Sequence, residues 1–475
     1  MSIAKNYFYN LSYQIASIII PFITIPYISR VIGSSGVGVA AFTNSIVQYF
    51  ILLGTLGISL YGNRTIAYVR DDIDKRSKVF WEIFTFKLIT TSISYLTFLI
   101  LFYFRPTEYR TLYLIQSINI LAAAADISWL FMGLEDFGKV VARNFMVKVG
   151  SIAFIFTFVK SPDDVWIYVL ISALGNLIGQ AIMFFYIPRY VKFVKVSIHD
   201  ALHHFLPTLK LFIPQVAIQL YVVLDKTMLG ILSTQSEVGI YTYSQRIVKA
   251  VLVLVTSLGT VMLPRVSNVY AKGDMDGVKT YVKKSFNFAS YLSIPMAFML
   301  AGISKGFVSW FFGKDFYESY KLIIIMSPII AAVAWSNVFG VQLMLPMKKE
   351  KEFTISVTGG AIVNFVLNLL LIPTFKATGA SIATLVAEFV VTSIQMLIMW
   401  KIVKGFFKEV YKYFIASVVM LFCILWLYRL LDGIALTISQ IVVGALVYFA
   451  IMWLFKAEIQ RDLIRKILNV KMNKS

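Results

Sequence analysis

The segment EVGIYTYSQRIVKAVLVLVTSLGTVMLP, Glu237 to Pro264, sets two cations, Arg246 and Lys249, at the head of an apolar run long enough to cross a bilayer. A cation in hydrocarbon costs roughly 2.5–3.5 kcal/mol even on a lenient insertion scale, so two of them mark a wet place. Arginine grips a phosphate through two parallel hydrogen bonds, whereas lysine acts as a point charge; the pair reads as an anion site. Arg30 closes an earlier apolar run and Lys226 lies inside another, adding two positive charges at a similar expected depth. Cations gathered in one hydrated cavity repel each other. An anionic ligand too large and polar to cross lipid unaided would relieve that repulsion.

A repeat supports the cavity. GVGVAAFTNSIVQ, Gly36–Gln48, aligns with EVGIYTYSQRIVK, Glu237–Lys249, at a spacing of 201 residues. The polar residues Asn44, Gln48, Thr55 and Ser59 then map onto Gln245, Lys249, Thr256 and Thr260. Their steps of 4, 7 and 4 put each set on one helical face. Further on, RNFMVKVGSIA from Arg143 resembles KEFTISVTGGA from Lys351 at a spacing of 208. The candidate substrate-binding residues are therefore Arg30, Asn44, Gln48, Lys226, Gln245, Arg246, Lys249 and Thr256. Thr and Ser on such stripes can equally glue helices together; the amides and Lys249 tip the reading toward a wet cavity. Asp126, Asp225 and Glu388 are the carboxylates inside apolar runs, and each can bind a proton or sodium ion or pair with a cation.

The elements that must position these residues are membrane helices. Of 475 residues, 59% are hydrophobic and 14% charged, against about 45–50% and 25% in soluble domains. Fourteen continuously apolar runs lie between residues 9 and 455, among them 9–31, 38–61, 110–132, 207–231, 320–345, 353–372 and 378–400. Continuous rather than alternating hydrophobicity selects helices over a barrel. The fold expected is an all-α integral membrane protein, with two pseudo-symmetric six-helix lobes around a central cavity and two C-terminal helices. The boundaries are 1–190 for the N-lobe, 200–402 for the C-lobe, and 403–475 for the added helices and a basic tail. Six is even, so the lobes are parallel repeats about an axis along the membrane normal, a transporter plan with its site between halves. Pro21, Pro26 and Pro214 are expected to kink their helices.

Of the 44 Lys and Arg residues, 30 fall on or beside loops of one side, eight on the other, and six within spans. Basic loops resist translocation, so both termini are expected in the cytoplasm. The formal charge of +20 is then topology and headgroup contact, and not a nucleic-acid surface. The three histidines sit together in HDALHH; His199 and His203 have helical metal-ligand spacing, but no further ligand completes a site. Cys423 is the single cysteine. No metal or cofactor is expected.

The segments PYISRVIGSSGVGVAAF, GISLYGNRTIA, DISWLFMGLEDF, LDKTMLGIL, EVGIYTYSQRIVK and QLMLPMKKEKEFTISVTGGAIVNFVLNLLLIPTFKATGASIATLVAE resemble the bacterial polysaccharide flippases. These are the Wzx-type, or PST, members of the MOP superfamily, which also holds MATE drug exporters and lipid II flippases. The likeness covers nearly all of residues 5–402. It implies translocation of undecaprenyl-diphosphate-linked oligosaccharide repeat units by alternating access through a cationic cavity, for capsule, O-antigen, exopolysaccharide or teichoic-acid synthesis. The four cations would hold the diphosphate or acidic sugars, and Asn44, Gln48, Gln245 and Thr256 the sugar hydroxyls. Arg30 in SRVIG matches a cavity arginine motif of the lipid flippases, and Asp225 and Lys226 match a pattern of the seventh span. A proton or sodium gradient is the expected energy source. The expected setting is the bacterial cytoplasmic membrane, with membrane lipids, a glycan polymerase and glycosyltransferases as neighbours of a monomer. The rival readings are a MATE-like cation-coupled small-molecule exporter and a membrane glycan polymerase.

Overall fold

The computed structural model describes residues 22–104, 108–457 and 459–461. The first half of the expected first span, Pro21 and the basic tail from residue 462 lie outside the described residues. Among those described, ten helical runs are long and apolar enough to cross a bilayer. A bent pair, Lys314–Met326 with Ile329–Met344, makes an eleventh. The chain packs as two compact units, Met1–Gly239 and Ile240–Ser475.

In the first unit the helices are α1 (residues 22–31), α2 (Gly33–Thr55), α3 (Ile58–Tyr68), α4 (Ile73–Tyr103), α5 (Arg110–Gln116), α6 (Ile118–Ala125), α7 (Ser128–Gly133), α8 (Phe137–Phe158), α9 (Val165–Phe184), α10 (Ile198–Leu202) and α11 (Phe205–Leu232). The run expected at 38–61 is broken at Leu56–Gly57, both with positive φ, so α2 and α3 are separate helices. The run expected at 110–132 is three pieces. Asp126 leaves the helix at ψ 111°, and its carboxylate accepts the main-chain N–H of Ser128 (2.9 Å) at the head of α7. An aspartate offers the backbone this alternative to the helical ladder, which is why the break falls there. α2 packs on α4 and α11, α6 on α9, and α8 on α9. Phe80, Phe86, Trp129, Phe131 and Ile66 form a buried core toward one end.

Helix α12 (Gln235–Ala271) begins in the first unit. The second unit then holds α13 (Met275–Phe311), α14 (Ser319–Met326), α15 (Ile329–Ser336), a π-helical stretch Asn337–Met344, α16 (Glu350–Ile398), α17 (Trp400–Val403), α18 (Val410–Trp426) and α19 (Gly433–Leu454). A straight helix as long as α16 would be about 74 Å, more than twice a bilayer core. Lys376 resolves the excess: its φ of 51° and ψ of −130° are non-helical. Gln395 on the far side donates to Ser356 Oγ on the near side (3.1 Å), so the run doubles back as two antiparallel spans. The expected 353–372 and 378–400 are these two arms. α18 and α19 pack against α13 and each other, so the two C-terminal helices share the second unit's core.

Candidate functional site

Each unit places its share of the expected site residues separately. In the first, Arg30 ends α1 exposed, its guanidinium donating back to the Pro26 carbonyl at 3.3 Å. On α2, Asn44 and Gln48 are half-buried, one turn apart. Asn44 donates to Gln116 Oε1 (3.2 Å). On α11, Asp225 is 2% exposed and Lys226 half-buried, and the next residue, Thr227, meets Ser45 Oγ at 2.9 Å and Tyr49 OH at 3.0 Å. Adjacent residues face different ways on a helix, so Asp225 and Lys226 look into different surroundings.

In the second unit, the candidate substrate-binding residues stand on α12. Gln245 is buried and donates to Tyr241 OH (3.3 Å), which meets Thr384 Oγ1 at 2.9 Å. Arg246 and Lys249 are exposed, and the Arg246 guanidinium lies 5.5 Å from the centre of the Tyr243 ring. Thr256 spends its hydroxyl on the Leu252 carbonyl of its own helix (3.0 Å), and Thr55 does the same with Ile51 (2.8 Å). Those two threonines therefore act on the backbone, and of the second stripe Lys249 is the exposed cation. Glu388 is half-buried on the second arm of α16.

Two segments that align in the sequence meet within the first unit. Gly38 and Gly239 are equivalent at the spacing of 201, as are Ser34 and Gln235. A Cβ on Gly38 would sit 1.6 Å from the Gln235 carbonyl oxygen, and one on Gly239 would sit 2.0 Å from the Ser34 carbonyl oxygen. Ser34 Oγ and Ser236 Oγ join at 2.7 Å. The approach of α2 to the first turn of α12 is thus reciprocal.

A polar chain through the first unit escaped the sequence reading. Gln116 takes hydrogen bonds from Asn44 and from Asn119 (2.8 Å), and Asn119 accepts from Asn176 (3.0 Å). One turn along α9, Gln180 accepts from the buried Arg143 (2.6 Å), which also reaches Ser128 Oγ (3.2 Å). Lys87, 1% exposed, donates to the Asp126 carbonyl (2.5 Å) at the break in the same span. Asp126 is thereby engaged at the helix break, by Lys87 on its carbonyl and by Ser128 N–H on its carboxylate. The second unit has its own buried polar pair, Asn364 and Asn368, joined at 3.1 Å. Polar residues three or four apart inside apolar runs were the available signal; their partners are not adjacent in sequence.

The engaged histidine is neither His199 nor His203, which are exposed, but His204. Its Nε2 faces Glu82 Oε2 at 3.2 Å and its Nδ1 faces Tyr61 OH at 2.8 Å, tying the head of α11 to α3 and α4. Burial holds its pKa below the usual histidine value, against the opposing pull of Glu82.

A family model described as polysaccharide biosynthesis protein matches residues 3–269. This chain belongs to that family. It is 25% identical over 402 residues to a putative O-antigen transporter of Escherichia coli, covering 84% of this chain and 96% of that protein. It is 27% identical over 165 residues to a probable low-salt glycan biosynthesis flippase of Haloferax volcanii, about a third of either chain. Among solved structures, a lipid II flippase, MurJ, in an inward closed conformation superposes with a TM-score of 0.75 at 18% identity, covering 97% of this chain and all of that one. An inward-facing MATE multidrug transporter of the MOP superfamily gives 0.60 at 12% identity, covering 82% and 99%. The polysaccharide biosynthesis protein described here therefore has the fold of multi-pass transporters.

Proposed function

We propose that this chain is a flippase that moves undecaprenyl-diphosphate-linked oligosaccharide repeat units across a bacterial cytoplasmic membrane by alternating access, serving capsule, O-antigen, exopolysaccharide or teichoic-acid synthesis. The alignment with a putative O-antigen transporter, over 84% of this chain and 96% of that protein, carries the reading. The chemistry fits: Arg30 and Lys226 in the first unit and Arg246 and Lys249 in the second supply positive charge for a diphosphate or acidic sugars. Asn44, Gln48 and Gln245 supply amides for sugar hydroxyls. The prenyl tail stays in lipid. Asp225, the most deeply buried of the three carboxylates, is the first candidate for coupling to a proton or sodium gradient, with Glu388 second. Both termini are cytoplasmic, and a monomer works beside the polymerase and glycosyltransferases of its pathway.

Replacing Arg246 and Lys249 together with alanine abolishes transport while the protein still inserts. The readout is a lipid-linked glycan that accumulates on the inner leaflet, as in a gene deletion; full activity of the double variant overturns the assignment. The MATE likeness supports a second reading, export of small molecules. That reading suits this chain less well, because such pumps often take cations and the residues proposed here are mostly positive. Drug resistance conferred on a pump-deficient host would favour it.

A further inference from the structure

An apolar cleft of 330 Å³ opens in the second unit between α13, the bent pair α14–α15, the second arm of α16 and α18. Its walls include Ala297, Ala301, Ala331, Trp335, Phe389 and Phe414. Small residues on α13 and α15 make the room, and the 44° bend of the span at Ser327–Pro328 holds the helices apart. Proline cannot donate to the preceding turn, so the bend is built into the sequence. Phe414, Ile324 and Phe389 are among the exposed large apolar residues, so the cleft opens sideways to hydrocarbon.

Two features say what fills it. Along α18 the lining runs from Val410 to Leu421, a rise of about 17 Å, close to the roughly 15 Å of one leaflet's hydrocarbon. Where that lining begins, the chain from α17 into the first turn of α18 is basic: Lys401, Lys404, Lys408 and Lys412, with Glu409 as the one acid, which pairs with Lys412 at 2.8 Å. Lys404 and Lys408 are exposed, and Phe407, next to Lys408, stacks edge-on against Trp335 of the cleft wall at 5.8 Å. We propose that this cleft binds one acyl chain of a resident anionic glycerophospholipid, whose phosphate sits on Lys404 and Lys408. Its one-leaflet length fits a membrane phospholipid better than the much longer prenyl chain of a transported substrate.

Trp335 is a built-in reporter. Purified protein is placed in nanodiscs of phosphatidylcholine containing a minor fraction of dibrominated phosphatidylglycerol or, in the control, dibrominated phosphatidylcholine. The Trp335 signal is taken as the difference from Trp335→Phe. The anionic brominated lipid quenches it at lower mole fraction, and Lys404→Glu with Lys408→Glu weakens that preference about tenfold. Equal quenching by both headgroups would mean bulk lipid contact and overturn the proposal, as would no quenching. Displacement by trace polyprenyl phosphate would assign the cleft to the transported lipid and also overturn it. The measurement reads binding without transport, so its failure is separable from failure of the flippase reading.

Discussion

Arg143 shows how a charge is tolerated inside the first unit. It is buried on α8, and its Nη1 is shared between Gln180 and Ser128. A hydrogen bond to a charged group contributes about 1.5–3 kcal/mol, so Gln180→Leu should destabilise by that order, read as a lower midpoint of thermal unfolding in nanodiscs. Gln180→Glu should retain most of the stability, because the acceptor remains. His204 gives a second test at this scale. Its depressed pKa means that the folded state binds its proton less readily than the unfolded chain. Stability is therefore full above the ordinary histidine value of about 6.5 and falls as pH drops below it. Glu82 favours the proton and His203 opposes it. The unfolding midpoint should decline between pH 7.5 and 5.5, and His204→Gln should flatten that decline; an equal slope in the variant would assign the effect elsewhere.

At the scale of elements, α2 and the start of α12 approach closely at two glycines. Added carbon atoms at Gly38 or Gly239 would meet main-chain oxygen, which cannot swing away. Gly38→Ala and Gly239→Ala should each cost about 1–3 kcal/mol, and by similar amounts, because the contact is reciprocal. Gly150→Ala, where a Cβ meets open space, is the control and should be near neutral. The repeat at 201 was legible but the contact of Gly38 with Gly239 was not, and the apolar runs were legible as helices, since length and hydropathy are properties of a contiguous stretch. The internal breaks were not. Hydropathy does not register the turn at Leu56–Gly57, the gap at Asp126–Ile127 or the π-helical stretch from Asn337, because each depends on a few dihedral angles rather than on composition. Nor could sequence pair Lys87 with the Asp126 carbonyl or Arg143 with Gln180: those contacts join spans whose packing is set only by the fold. Each polar stripe was expected on one helical face, yet the break at Leu56–Gly57 puts Ser59 on α3, and Thr55 and Thr256 bond their own helices.

For the whole molecule, the distribution of positive charge is the property that can be tested without knowing the substrate. Thirty basic residues against eight predicts that the Arg70–Lys78 loop faces the cytoplasm and the Lys314–Phe316 loop faces outward. Among the described residues both loops are accessible: Asp71 and Asp315 are exposed. Cys423 is the only cysteine, so Cys423→Ser gives a clean background for single probes. In intact cells a membrane-impermeant maleimide should label Asp315→Cys and spare Asp71→Cys; in inside-out vesicles the pattern should reverse. The parity of the spans links the two results. Asp71 precedes the third expected span and Asp315 follows the ninth, so seven crossings, an odd number, separate them and require opposite sides. One of those seven is α4, and another is the three-piece span of α5, α6 and α7. Labelling of both positions from the same side would mean that a broken segment such as this one re-enters rather than crosses. The expected parallel relation of the two repeats would then be lost.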